Sequence, residues 1–228
     1  MVNIADKLRN TLNRIHAAEQ KYGRTPGSVN LLAVSKTHPV DILRQALAAG
    51  QREFGENYAQ EAIPKIIALR EVMPVWHFIG PVQSNKTTLL AENFTWVHSV
   101  DRIKIARRLS EARPAGLGPL NICIQVNISG EGTKSGIPPA KIREFVKEIA
   151  ALPGLCLRGL MVIPAVHKDF DTQRVPFHAA RTLLETLNNE GHKLDTLSMG
   201  MSDDLEAAIA EGSTLVRVGT AIFGPRQT

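Results

Sequence analysis

The feature that most limits the fold of this 228-residue chain is a regular alternation of short apolar strands with amphipathic helices. The pattern predicts eight strands, and a helix follows each of the first seven. Strict alternation implies right-handed crossovers and a parallel sheet. The sequence therefore predicts an α/β fold, a single (β/α)8 barrel domain over residues 1–228, with an extra N-terminal helix that ends near Gly23.

The boundaries of these elements follow from periodicity and from cap and turn residues. The predicted strands are 31–35, 52–55, 75–80, 96–100, 120–128, 155–163, 194–199 and 215–218. The predicted helices between them are 40–49, about 58–70, about 85–92, 101–113, one that begins at Pro139, about 177–189, and one that begins near 203. Asp101 is expected to cap the helix that follows it, and Asp203 and Glu206 have the spacing of a capping box.

An open doubly wound sheet is the alternative fold for such a pattern. That fold usually carries a glycine-rich loop after its first strand. Here the corresponding position reads Ser35-Lys36-Thr37-His38, without glycine. The closed barrel is therefore favoured.

Charge and hydropathy limit the possible partners. The formal net charge is +5, and the basic residues are scattered except for one group on a predicted helix: Arg102, Lys104, Arg107, Arg108 and Arg113. No aromatic side chains interleave with this group, so it is interpreted as a solvated helix face rather than a nucleic-acid site. No apolar run approaches membrane-spanning length, the N-terminus has no signal-like apolar core, and no Cys/His set has metal-ligand spacing. A cytoplasmic monomer without membrane contact, nucleic acid or metal is expected.

Lys36 is the first chemical anomaly, because it ends a short apolar strand. Its ammonium would lie at the rim of an apolar core, where desolvation lowers the pKa of an amine and favours the nucleophilic form. Such a lysine can form a Schiff base with a carbonyl compound. A strand-end lysine that extends to water is the structural alternative.

Small and hydroxyl-bearing residues follow the seventh and eighth predicted strands, where barrels of this type commonly bind phosphate. Their backbone N–H groups and hydroxyls suit an anion, although the same residue types are common in ordinary turns. The candidates for a phosphate cradle are Ser198, Gly200, Ser202, Gly219 and Thr220.

Arg217 is the second anomaly, because it interrupts an apolar strand on the same face as Leu215 and Gly219. A buried guanidinium requires a partner, either a structural salt bridge or a ligand. Barrel closure places the last strand beside the first, so Arg217 and Lys36 are expected to be neighbours. A lysine, an arginine and a phosphate cradle at adjoining strand ends together describe a site for pyridoxal phosphate.

Five segments, in order along the chain, resemble the pyridoxal phosphate homeostasis protein family. They lie at 33–37, 54–58, 76–80, 197–204 and 216–224, and the resemblance extends over nearly the whole chain. That family shares the barrel of the N-terminal domain of alanine racemase. The resemblance implies a protein that carries or buffers pyridoxal phosphate in intracellular vitamin B6 homeostasis, without major turnover.

The resemblance also implies roles for individual residues. Lys36 would hold the cofactor as a Schiff base, Arg217 would lie at the pyridine nitrogen, and Asn57 would line the cofactor. The phosphate would be held by Ser198, Gly219 and Thr220. An arginine cannot keep the ring nitrogen protonated as a carboxylate does, so the ring is a weaker electron sink. Racemisation needs an acid or base on each face of the substrate, and in alanine racemase a second domain supplies one of them; this chain has no room for that domain.

Several alternatives remain open at this stage. They are a small pyridoxal phosphate-dependent amino-acid racemase, a Schiff-base aldolase that acts on a phosphorylated sugar, and a basic nucleic-acid binder. His38 and His77 are possible second bases: His38 is expected in an exposed loop, and His77 in the core or beside the cofactor. Lys134 lies in a loop at the same barrel face and could contact the cofactor or a partner. Apo-forms of pyridoxal phosphate enzymes are possible partners.

Overall fold

Eight parallel strands form a closed barrel in a computed structural model that describes residues 3–132 and 134–225. The first strand pairs with the second and with the last, which closes the barrel. The strands are β1 Asn30–Val34, β2 Glu53–Glu56, β3 Val75–Phe78, β4 Trp96–Val100, β5 Leu120–Gln125, β6 Leu155–Met161, β7 Thr196–Ser198 and β8 Leu215–Val218. The predicted (β/α)8 barrel is confirmed.

Helices follow the strands on the outside of the barrel. In the described part of the chain they are α1 Ile4–Lys21, α2 Val40–Ala48, α3 Ala59–Ala68, α4 Thr87–Asn93, α5 Ile103–Ala112, α6 Ile142–Ala150, α7 Phe170–Asn189, α8 Leu205–Ala210 and α9 Thr220–Phe223. The main apolar core lies between strands and helices and includes the fully buried rings of Phe54, Phe94 and Phe177. None of the helices within 3–132 and 134–225 is both long enough and apolar enough to cross a bilayer.

The predicted extra helix is α1, which packs against α2, α8 and α9. Its start is fixed by Asn3, whose side chain accepts a hydrogen bond of 2.8 Å from the backbone N–H of Asp6. One stripe of α1, with Ile4, Leu8 and Ile15, is buried. The helix therefore belongs to the barrel wall rather than standing apart from it.

Two predicted helix caps are wrong, because the acidic side chains have other partners. The carboxylate of Asp101 contacts Arg102 Nε at 2.9 Å, and α5 begins after Arg102 without a side-chain cap. The capping box at Asp203 is also absent, since α8 begins only after Asp204. The side chain of Asp204 instead accepts a hydrogen bond of 2.6 Å from the backbone N–H of Met201.

Two helices differ from the sequence prediction in extent. Helix α7 begins at Phe170 rather than near 177, because Asp169 caps it by accepting a hydrogen bond of 2.8 Å from Thr172 N–H, and it includes Pro176. Helix α9 was not predicted. It completes the eighth strand–helix unit, and its Phe223 ring lies 5.2 Å from the ring of His38.

Candidate functional site

A cavity of about 610 Å³ opens at the carboxyl ends of the strands, where barrels of this type carry their function. Its volume lies within the usual range for small-molecule sites, roughly 300–1,000 Å³. Of the six residues predicted to bind the cofactor, five line this cavity: Lys36, Asn57, Arg217, Gly219 and Thr220.

Strand pairing explains why Lys36 and Arg217 share the cavity. Leu32 of β1 is in register with Arg217 of β8, and Val34 of β1 with Gly55 of β2. Side chains alternate along a strand, so Lys36 follows Leu32 and Val34 on the inner face of the barrel. The first and last strands therefore deliver an amine and a guanidinium to one place, as barrel closure predicts.

Arg217 is only 4% exposed, and oxygen atoms of the barrel hold its guanidinium. Its Nη1 donates to the Ser198 carbonyl at 2.5 Å and to the Ser198 hydroxyl at 2.8 Å, and its Nη2 donates to the Val162 carbonyl at 2.9 Å. Burial lowers the pKa of Arg217 to about 10, and the charge of Asp204 opposes this shift. The guanidinium therefore keeps its positive charge at neutral pH. Three of its five N–H groups donate to these oxygens. The described residues show no acceptor for the other two, which could therefore donate to a ligand.

The structure does not bring Ser198 to the cavity. This residue is fully buried in the barrel interior, where its hydroxyl contacts Arg217 Nη1 at 2.8 Å and His98 Nδ1 at 2.8 Å. Its side chain follows the inward parity of β7 and lies beneath the guanidinium. The prediction that the Ser198 side chain contacts the phosphate is therefore wrong, and its hydroxyl instead accepts a hydrogen bond from Arg217.

A buried ion-pair network stands behind the strand that carries the lysine. Lys65 of α3 donates to the carbonyl of Ser35 at 2.9 Å, to Glu56 at 2.9 Å and to Glu61 at 2.6 Å. Glu56 is fully buried and also accepts a 2.6 Å hydrogen bond from the Ser35 hydroxyl. Burial raises the pKa of Glu56, while the adjacent Lys65 ammonium lowers it. The network ties β1, β2 and α3 together behind the strand end that carries Lys36.

The same network holds the turn immediately after Lys36. Thr37 has a φ of 66°, a left-handed conformation that is rare for a β-branched residue and costs about 1–3 kcal/mol. The carboxylate of Glu61 accepts a 2.5 Å hydrogen bond from the Thr37 backbone N–H. The backbone that carries Lys36 is thus held in a strained conformation by a charged side chain of α3.

Two further residues line the cavity: Arg14, which sequence reasoning missed, and His38, which it considered as a possible base in an exposed loop. Arg14 of α1 reaches it and donates a 3.0 Å hydrogen bond to the Ser202 carbonyl. His38 was expected to be exposed but is 7% exposed, because Phe223 of the unpredicted α9 covers it. Burial lowers the pKa of His38, as does the charge of Lys65 to a smaller extent. The place of Arg14 and the burial of His38 could not be read from the sequence, since they depend on the packing of α1 and α9, helices near the two ends of the chain.

The other residues singled out in the sequence lie elsewhere. His77 is buried in the barrel interior, where its Nδ1 is 2.9 Å from His98 Nε2, which confirms a core location. Lys134 pairs with Glu131 at 2.8 Å in the loop after β5, and it is not one of the residues that line the cavity. Within the described ranges, no group of three or more His, Cys, Asp or Glu side chains is arranged as metal ligands would be.

Two residues of the cavity wall, Asn57 and Gly219, differ in what they could offer a ligand. The side-chain oxygen of Asn57 is buried, and no described residue forms a hydrogen bond with it. A Cβ atom at Gly219 would approach the Val34 carbonyl oxygen to 3.1 Å, so the bare backbone at that position lets the end of β8 lie close to β1 beside the cavity. An unsatisfied buried acceptor indicates a site for a bound water or ligand.

Comparison with known proteins gives the family. A family model described as alanine racemase, N-terminal domain, matches residues 7–227. The pyridoxal phosphate homeostasis protein of Pseudomonas aeruginosa is 56% identical over 226 residues, which are 99% of this chain and 97% of that protein. The chain belongs to the pyridoxal phosphate homeostasis protein family. The Escherichia coli K12 member of this family is 50% identical over 232 residues, with 99% of this chain and 98% of that protein covered.

Solved structures agree with this assignment. PipY of Synechococcus elongatus, determined with PLP bound, superposes with a TM-score of 0.84 at 38% identity, and the match covers 97% of this chain and all of that one. Alanine racemase of Corynebacterium glutamicum superposes with a TM-score of 0.67 at 15% identity, over 99% of this chain and 64% of that one, which shows a shared fold alone. The family resemblance predicted from the five sequence segments is confirmed.

Proposed function

We propose that this protein binds pyridoxal phosphate in the cavity at the carboxyl ends of the strands and carries or buffers it in intracellular vitamin B6 homeostasis, without major catalytic turnover. One observation carries the proposal: Lys36 and Arg217, from opposite ends of the chain, line a single cavity. The names of the relatives and the PLP bound to PipY support it. The protein would act as a cytoplasmic monomer, with apo-forms of pyridoxal phosphate enzymes as recipients.

The residues present fit this cofactor. Lys36 would hold it covalently through its ε-amine, and the uncommitted N–H groups of Arg217 would face its ring nitrogen. Gly219 and Thr220 would bind the phosphate, and the unsatisfied oxygen of Asn57 would accept a hydrogen bond from the ligand. When bound, pyridoxal phosphate supplies an aldehyde and an electron-withdrawing ring.

The donor set argues against efficient carbanion chemistry. Arg217 is a cation with donors only, so it cannot keep a proton on a ring nitrogen as a carboxylate can. A racemase also needs a second acid or base, and His38, which lines the cavity, could serve. Because burial lowers the pKa of His38, this imidazole is neutral at pH 7 and able to accept a proton. A weak racemase is therefore the second candidate function.

Cofactor titration combined with turnover of D- and L-amino acids tests the proposal. We expect the protein and the surface control Lys193→Ala to bind one cofactor per chain, and Lys36→Ala to bind at least about tenfold more weakly, since a covalent contact is lost. Racemisation should exceed that of free cofactor by less than about 10²-fold, the lower end of what one general base supplies. Multiple turnovers that are abolished in both Lys36→Ala and His38→Gln would instead support the racemase.

A further inference from the structure

A chain of polar side chains runs through the barrel interior beneath the cavity. Arg217 Nη1 lies 2.8 Å from the Ser198 hydroxyl, which lies 2.8 Å from His98 Nδ1. His98 Nε2 is 2.9 Å from His77 Nδ1, and His77 Nε2 is 3.7 Å from a carboxylate oxygen of Glu53. These five residues come from five different strands. The hydrogen bonds run from the cavity as far as His77, and the carboxylate of Glu53, the first residue of β2, lies just beyond hydrogen-bond distance at the opposite end of the barrel.

This chain is unusual for its location. Barrel interiors of this type are mostly filled by branched apolar side chains, whereas Arg217, Ser198, His98 and His77 are all buried. The rings are also fixed in orientation. His77 stacks on Trp96 with 5.4 Å between ring centroids and 7° between planes, and the guanidinium of Arg158 lies 4.9 Å above the Trp96 ring.

Arg217, at the cavity end of this series of contacts, indicates the direction of the hydrogen bonds that follow. A guanidinium only donates, so the Ser198 oxygen accepts from Arg217. The Ser198 hydrogen is satisfied when it is donated to His98 Nδ1, the other side-chain contact of this hydroxyl among the described residues. A neutral His98 then carries its proton on Nε2 and donates to His77 Nδ1. His77 in turn carries its proton on Nε2. This atom has no hydrogen-bond acceptor among the described residues, and the Glu53 carboxylate lies 3.7 Å away, beyond hydrogen-bond distance but near enough to favour the protonated nitrogen on this side.

Burial supports the neutral state that this argument needs. It lowers the pKa of His77 to about 3 and that of His98 well below 6.5. Each ring therefore has one proton at neutral pH. In the reverse tautomers Arg217 Nη1 and His98 Nδ1 would both donate to the Ser198 oxygen, so the Ser198 hydrogen would lose His98 as its acceptor. The unprotonated Nε2 of His77 would then face the Glu53 carboxylate, which is unfavourable for two acceptors.

We propose that His77, His98 and Ser198 form a hydrogen-bond chain with a single direction, and that they are positioning residues which hold Arg217 with its remaining donors facing the cavity. Its consequence for the cofactor rests on the proposed function above. The chain itself is a property of the protein alone, so it can be tested without any ligand.

Imidazole ¹⁵N–¹H correlation spectra of the ligand-free protein test the direction. We expect both His77 and His98 to carry the proton on Nε2 and to show an unprotonated, hydrogen-bonded Nδ1. Ser198→Ala should shift the signals of both rings, because they are linked in series. The matched control is Ser99→Ala, a neighbouring buried serine that donates instead to the Gly80 carbonyl and should leave both tautomers unchanged. A proton on Nδ1 of either ring in the unsubstituted protein would contradict the proposed direction of the hydrogen bonds.

Absorption of the bound cofactor tests the positioning role. We expect Ser198→Ala to shift the spectrum of protein-bound pyridoxal phosphate and to weaken its binding about tenfold, since one hydrogen bond to a charged donor is lost, while Ser99→Ala changes neither. An unchanged spectrum in Ser198→Ala overturns the positioning role. If the unsubstituted protein takes up no cofactor, the proposed function fails and the positioning role fails with it, while the tautomers still decide whether the chain exists.

Discussion

Replacement of Lys65 by methionine is expected to lower the free energy of unfolding by about 3–5 kcal/mol, the usual cost of leaving one member of a buried ion pair uncompensated. The ammonium of Lys65 lies within 2.9 Å of Glu56, whose side chain is fully buried. Without Lys65, that carboxylate keeps its charge only at a high desolvation cost. Because protonation of Glu56 relieves this cost, the penalty should become smaller as the pH falls from 7 toward 5. Urea unfolding at several pH values measures both effects.

A surface pair of the same chemistry is the matched control. Lys21 and Glu206 approach to 2.7 Å, but their side chains are 62% and 48% exposed. Solvent screens such a pair, so Lys21→Met should leave the unfolding midpoint nearly unchanged. Equal losses of unfolding free energy in the two variants would contradict the view that burial makes the Lys65 ion pairs strongly stabilising.

Acidification from pH 7 to 4.5 is expected to destabilise the protein, with His77 alone contributing a slope of about 1.4 kcal/mol per pH unit. Burial lowers the pKa of His77 in the folded state to about 3, below the value of 6.5 that the unfolded chain has. In the window between those values the unfolded state binds a proton that the folded state does not, so stability is present above about 6.5 and is lost as the pH falls. The full loss amounts to about 5 kcal/mol.

Comparison of variants isolates this contribution. Burial raises the pKa of Glu53 and of Glu56, which favours the folded state in acid and offsets part of the loss in the parent protein. The contributions of Glu53 and Glu56 are common to the parent and His77→Gln, so they cancel when the two stabilities are subtracted. The stability of His77→Gln should therefore depend less steeply on pH than that of the parent. The exposed His16 provides the control, and His16→Gln should behave as the parent does. Identical slopes for the parent and His77→Gln would show that His77 is not buried in the neutral state.

The barrel and the central pair of the site could be predicted from sequence because both follow from the order of elements. Strand–helix alternation sets a parallel barrel, and closure sets the first strand beside the last, which brings Lys36 to Arg217. These consequences need no knowledge of individual side-chain contacts.

Features that depend on packing across distant segments could not be predicted in the same way. His38 is buried only because α9 places Phe223 over it. Glu206 does not complete a capping box, because it pairs with Lys21 of α1 instead. The hydrogen-bond partners of Ser198 come from β4 and β8, so its sequence position beside glycines suggests a phosphate contact that its inward orientation prevents.

Borohydride reduction of the pyridoxal phosphate-loaded protein, followed by peptide mass mapping, tests the central claim most directly. One reduced cofactor adduct per chain is expected, attached to Lys36, and none is expected in Lys36→Ala, while Lys193→Ala is labelled as fully as the parent. A reduced adduct on a different lysine, or equal labelling of Lys36→Ala, would contradict the assignment of this cavity as the cofactor site.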